Sequence, residues 1–142
     1  PNNTVPAEKS AQDYVDILGR MAEIDVPFVA NTRSITRENL PSELQKTIIL
    51  DNASNIKVQE VIYADKQIGF RISYEIPNIE LRNVASSFDK ALPTNIWTKL
   101  SSKRMELAAA SEYESKQYKI RALYSFETVT SPVQNSLSII IK

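Results

Sequence analysis

Two carboxylates two residues apart, Glu112 and Glu114, are the first place to look for acid/base chemistry, with Asp13 and Asp16 as a second pair. Paired carboxylates act as general acid and base when their surroundings drive their pKa values apart. Here each pair follows a serine, Ser111 or Ser10, at the spacing of a helix N-cap, where acidic side chains answer free amides and the helix dipole. Both pairs therefore read as helix starts. Ser101-Ser102-Lys103 sets hydroxyls beside a lysine, the only base left to a serine nucleophile because the 142-residue chain contains no His and no Cys. It reads as a turn. The same absence removes thiolates, imidazole and the usual zinc and iron ligands, so no metal, no cofactor and no catalysis are expected.

Phosphate-cradling loops need glycines, and the chain has only Gly19 and Gly69. Pro77-Asn78-Ile79-Glu80 is not such a loop. Phe70, Tyr74, Arg71 and Trp97 are the set that could stack and hold RNA bases, but Phe70 and Tyr74 alternate with Ile68, Ile72 and Ile76 on what reads as a core face. Lys116, Lys119 and Arg121, with Lys99, Lys103 and Arg104, form a basic set that reads as a solvated helix face and turn. Seventeen basic and seventeen acidic residues leave no net charge to attract nucleic acid or an anionic membrane.

These residues must be positioned by elements that hydrophobic period makes visible. Pro1 to Lys9 is a polar, proline-containing arm. Ser10 caps a one-faced helix carrying Tyr14, Ile17, Leu18 and Met21, stopped by Asp25-Val26-Pro27. Residues 28–39 show no period and read as a connection. Leu40, Leu44 and Ile48 predict a short second helix. Ile56 to Tyr63 and Ile68 to Ile76 predict two strands around a reversal at Asp65-Lys66, the second strand alternating most cleanly. Leu81, Val84, Ala85, Phe88 and Leu92 form the stripe of a helix that Pro93 ends. Ile96, Thr98 and Leu100, then Met105, Leu107 and Ala109, predict a hairpin. Ser111 to Tyr124 predicts a helix with a capping box, and Leu137, Ile139 and Ile141 a closing strand.

The expected architecture is α+β and ferredoxin-like, βαββαβ or its circularly permuted form αββαββ, with helices on one face of an antiparallel sheet. Residues 1–50 form an N-terminal linker and helical arm in this reading, and 51–142 the domain. No run is apolar and long enough to span a bilayer. The chain opens on Pro1 rather than Met, which suggests an excised piece with an anchor outside it.

Leu92-Pro93 followed by Ile96 and Trp97, then Leu107 with Ala109-Ala110-Ser111, and Ile120-Arg121-Ala122-Leu123 with Phe126, resemble the periplasmic domains of PilN-type pilus proteins and GspL-type secretion proteins, or their PilO and GspM relatives. The family pattern has a glycine where this chain has Ala109. The resemblance implies a non-catalytic periplasmic domain of an inner-membrane protein that pairs with itself or a sister subunit, held to the membrane by an anchor outside this sequence. Candidate interface residues are Trp97, as an aromatic anchor, and Leu137, Ile139 and Ile141, as a strand at a sheet edge open to another chain. The alternative is a small-molecule regulatory domain of ACT type, which shares the expected strand order.

Overall fold

The computed structural model describes residues 9–142. Ser10 starts α1 (Ala11–Arg20) with a complete capping box: its hydroxyl accepts from the Asp13 amide and the Asp13 carboxylate accepts from the Ser10 amide. The chain then forms β1 (Val29–Ile35), α2 (Ser42–Gln45), β2 (Ser54–Tyr63) and β3 (Ile68–Ile76). α3 (Leu81–Ala91) follows, and β4 (Thr98–Arg104), β5 (Ala108–Glu114), β6 (Tyr118–Ser125) and β7 (Val133–Ile141) complete it.

All seven strands belong to one antiparallel sheet in the order β1-β2-β3-β7-β6-β5-β4. Two meanders, β1 to β3 and β4 to β7, are therefore joined side by side where β3 pairs with β7. α3 carries the chain from the middle of the sheet to its far edge. Its stripe of Leu81, Val84 and Phe88 is buried in the main core, over Ile72, Ala109, Ile120 and Leu137. Leu92 closes the helix because Pro93 cannot continue it.

Successive residues of a strand point to opposite faces, and β5 shows that both faces are covered. Ala109 and Tyr113 belong to the core under α3, whereas Ala108 and Ala110 pack with Leu18 of α1. Every residue from Ala108 to Tyr113 is consequently buried. A third cluster, Ile24, Val61, Tyr63 and Ile140, lies where the strap after α1 crosses the same face.

The ferredoxin-like expectation is overturned. Residues 111–125 form no helix: Ser111 to Glu114 finish β5, a turn follows, and Tyr118 to Ser125 form β6. Tyr118, Ile120, Ala122 and Tyr124 face the main core at a period of two, which no helix could achieve. The helices also lie on both faces rather than one. The arm expected at the start of the chain lies, for residues 1–8, outside the described residues, and residues 9–50 do not stand apart from the sheet, since β1 pairs with β2 and Leu40, Leu44 and Ile48 lie in the main core. The connection expected at 28–39 contains β1, the second helix shrinks to α2, and the expected turn at Ser101-Ser102-Lys103 is the interior of β4.

Candidate functional site

The carboxylates singled out for acid/base work have structural duties. Glu112 is 1% exposed, and its two oxygens accept from the backbone amides of Glu23 at 2.9 Å and Ile24 at 2.7 Å. The Ser101 hydroxyl donates to it at 2.5 Å. It thus fastens the strap to the sheet. Glu114 makes an ion pair with Lys142 and faces the rim. Asp13 is held below the usual carboxylate range by the Ser10 amide and hydroxyl that it caps.

Four tyrosines on the α3 face spend their hydroxyls on neighbours. Tyr74 donates to the Ile48 carbonyl at 2.7 Å, Tyr118 to Glu43 at 2.6 Å, Tyr113 to Asp89, and Tyr124 bonds Ser111 at 2.8 Å. Burial, then the partnering carboxylate, pushes Tyr118 up to about 12, while burial also pushes Tyr124 to about 12 and raises Tyr74 and Tyr113. Groups shifted in that direction are neutral at pH 7 and supply no base or nucleophile. Among the described residues there is no cluster of His, Cys, Asp or Glu able to hold a metal ion.

The proposed interface residues are not at an edge. β7 is paired on one side with β3 and on the other with β6, Leu137 and Ile139 are fully buried, and Ile141 packs partly buried against the main core. Trp97 is 5% exposed and stacks on Tyr118 with ring centroids 6.4 Å apart. It closes the end of the core beside Leu92. These four residues hold the domain together and are not available as partner contacts.

The true edges are β1 and β4. β4 is protected: Lys99, Lys103 and Arg104 stud it, its register is interrupted between Lys99 and Ser101, and Lys103 is tied to the Met21 carbonyl at 2.8 Å. Charged residues and bulges are the usual defences against strand addition. β1 has a bulge near Val29 but only one charge, Arg33, already engaged by Glu60 across the pair. It is exposed from Val29 to Ser34. No family model, no curated protein and no solved structure matches the chain.

Large apolar residues are exposed beside β1, as Ile96 and Leu100 are at the β4 edge. Phe28 is 89% exposed, and Ile62 and Ile68, directly opposed across β2 and β3, are each about half exposed. Neither β1 nor this border has a sequence signature, because a strand solvated on both faces need not alternate.

A further open region is polar. On the face opposite α3, Arg71, Ser138 and Arg121 align across β3, β7 and β6. A cleft of about 200 Å³ beside them is lined by Lys57, Gln59, Arg71, Ser73 and Ser136.

Proposed function

We propose that this domain is a non-catalytic assembly module whose edge strand β1 pairs with β1 of a second copy. The observation that carries the reading is the contrast between its two edges: β4 is defended by charge and β1 is left open beside Phe28, Ile62 and Ile68. Edge strands pair by satisfying each other's free backbone groups, with neighbouring apolar side chains supplying burial. An antiparallel register centred on Thr32 sets Asn31 against Arg33 and Val29 against Ile35 of the copy. No like charges meet in that register, and a chain of zero net charge adds no long-range repulsion.

The narrower expectation of a pilus or secretion platform, periplasmic and anchored in the inner membrane, gains nothing from the fold. Of the stretches that carried the resemblance, Leu92-Pro93 does end a helix, but Ile120 to Leu123 lies in a strand and Trp97 is in the core. No helix among the described residues is long and apolar enough to cross a membrane. The ACT-like alternative shares the overturned strand order, so assembly through β1 is retained alone.

The test uses the absence of cysteine. Thr32→Cys introduces the sole thiol, at the centre of the proposed pairing, and mild oxidation should trap a dimer at concentrations where Lys116→Cys, on a distant turn, does not. Sedimentation of the unmodified chain should show concentration-dependent dimerisation that Phe28→Asp with Ile68→Lys weakens about tenfold or more. A monomer at every concentration, or equal trapping at both cysteines, would overturn the proposal.

A further inference from the structure

The polar face opposite α3 carries cations that no ion pair among the described residues engages. Arg71 and Arg121 flank Ser138 in one cross-strand row, so their Cα atoms are about 10 Å apart, a span that two long side chains can close over a single anion. Lys57 stands one step along β2, opposite Ser73, which in turn pairs with Ser136. None of the three cations enters an ion pair among the described residues.

Arg121 is the telling member. It is largely covered, and its Nε is shut away from solvent with no hydrogen-bond acceptor. Its cross-strand neighbour Glu112 does not meet that need, because both Glu112 oxygens are occupied by the Glu23 and Ile24 amides and by Ser101. Asp25 contributes a negative charge near Arg121 without a direct contact. Glu75, the remaining carboxylate of the β3 face, is held by Asn55 and Gln134. That covered Nε is beyond the reach of an outside ligand, but no hydrogen bond or ion pair among the described residues engages the rest of the Arg121 guanidinium, which leaves its outer N–H groups for an acceptor at the row's edge.

We propose that the cleft between Lys57 and Arg71, bordered by Arg121, binds a phosphate group, either free or as the monoester of a small molecule. The lining favours a tetrahedral oxyanion over a carboxylate. Two cations, Lys57 and Arg71, with the Ser73 and Ser136 hydroxyls and the Gln59 amide supply more donors than two carboxylate oxygens accept, whereas a phosphate offers several acceptors at different angles. The site lies on the sheet face, away from the free side of β1, and does not depend on the dimer.

Calorimetric titration with inorganic phosphate at low ionic strength should give saturable binding with a dissociation constant near or below about 1 mM. A parallel titration with glycerol phosphate identifies the source: tighter binding of the ester assigns an esterified ligand, and tighter binding of phosphate a free one. Arg71→Gln and Lys57→Gln should each weaken binding about tenfold. Both residues are exposed, so neither change threatens folding, and thermal melts with and without phosphate give a second readout. Lys116→Gln should leave binding unchanged. Absence of saturable binding, or equal affinity in Arg71→Gln and the parent, would overturn the site.

Discussion

Gly69 shows how one residue can be fixed by approach rather than by backbone angle. A Cβ built there would lie 1.8 Å from the Ile139 carbonyl oxygen, a backbone atom of the neighbouring strand that cannot step aside without breaking the β3–β7 ladder. The same carbonyl accepts from the Tyr63 hydroxyl at 3.1 Å. Gly69→Ala should therefore destabilise the domain by about 3 kcal/mol, the upper range for overpacking, as measured by urea denaturation. A change below about 1 kcal/mol would mean that the two strands can part locally at little cost. Glu112 offers the complementary case of a group that cannot be removed. Glu112→Ala strands two strap amides, and a loss of about 2–3 kcal/mol is expected from the missing charged acceptor. Hydrogen exchange should report it first at Glu23 and Ile24, and unchanged protection there would show that the strap is held by Ile24 packing alone.

At the scale of elements, legibility followed exposure. β3 could be read because only its Phe70, Ile72, Tyr74 and Ile76 side is apolar, and α3 because its stripe and Pro93 are unambiguous. β5 could not, since α1 and α3 cover both faces and erase the alternation, while Ser111 and Glu114 copy a capping box in a strand. A helix starting there places Arg121 on a solvated face, so the sequence does not bring it beside Arg71. β1 left no trace because its exposed edge has no need of apolar residues. The expected interface failed for a related reason: Leu137 to Ile141 is apolar because it is central. The strand positions also set the pH response. Five tyrosines, Tyr63, Tyr74, Tyr113, Tyr118 and Tyr124, have hydroxyls raised chiefly by burial. Raised folded values mean that their contribution is complete below the ordinary tyrosine value of about 10 and is lost as the pH climbs toward the folded ones. The melting temperature should hold to about pH 9.5 and fall steeply between about pH 10 and 12, with tyrosinate absorbance appearing together with unfolding. Tyrosinate forming at any of these five in a still folded chain near pH 10 would contradict this burial. Glu43, lowered by the Tyr118 hydroxyl, acts in the opposite direction, and its contribution disappears only in acid.

For the whole molecule, the decisive feature is that the last strand is the central one. β7 is the only strand that joins the β1-β2-β3 meander to the β4-β5-β6 meander, and Val133, Leu137 and Ile139 are fully buried within the core that both halves share. Pairing β3 with β7 closes a loop containing α3 and three strands, a non-local step that makes folding slow compared with a helical domain of this size. The two ends of the chain should therefore tolerate truncation very differently. Removing residues 133–142 takes away the shared strand and leaves each half with an open, apolar edge, so circular dichroism should show no cooperative urea transition. Removing residues 1–20 takes away α1, which packs through Leu18 onto the small side chains Ala108 and Ala110 on the outer face, and leaves the main core intact. That variant should still unfold cooperatively, at a lower urea midpoint, and should retain β1-centred dimerisation. If the C-terminal deletion kept a cooperative transition, the two meanders would be independent folding units and the seven-stranded sheet would be an association of them, in which case β1 would no longer be the only edge available to a second copy.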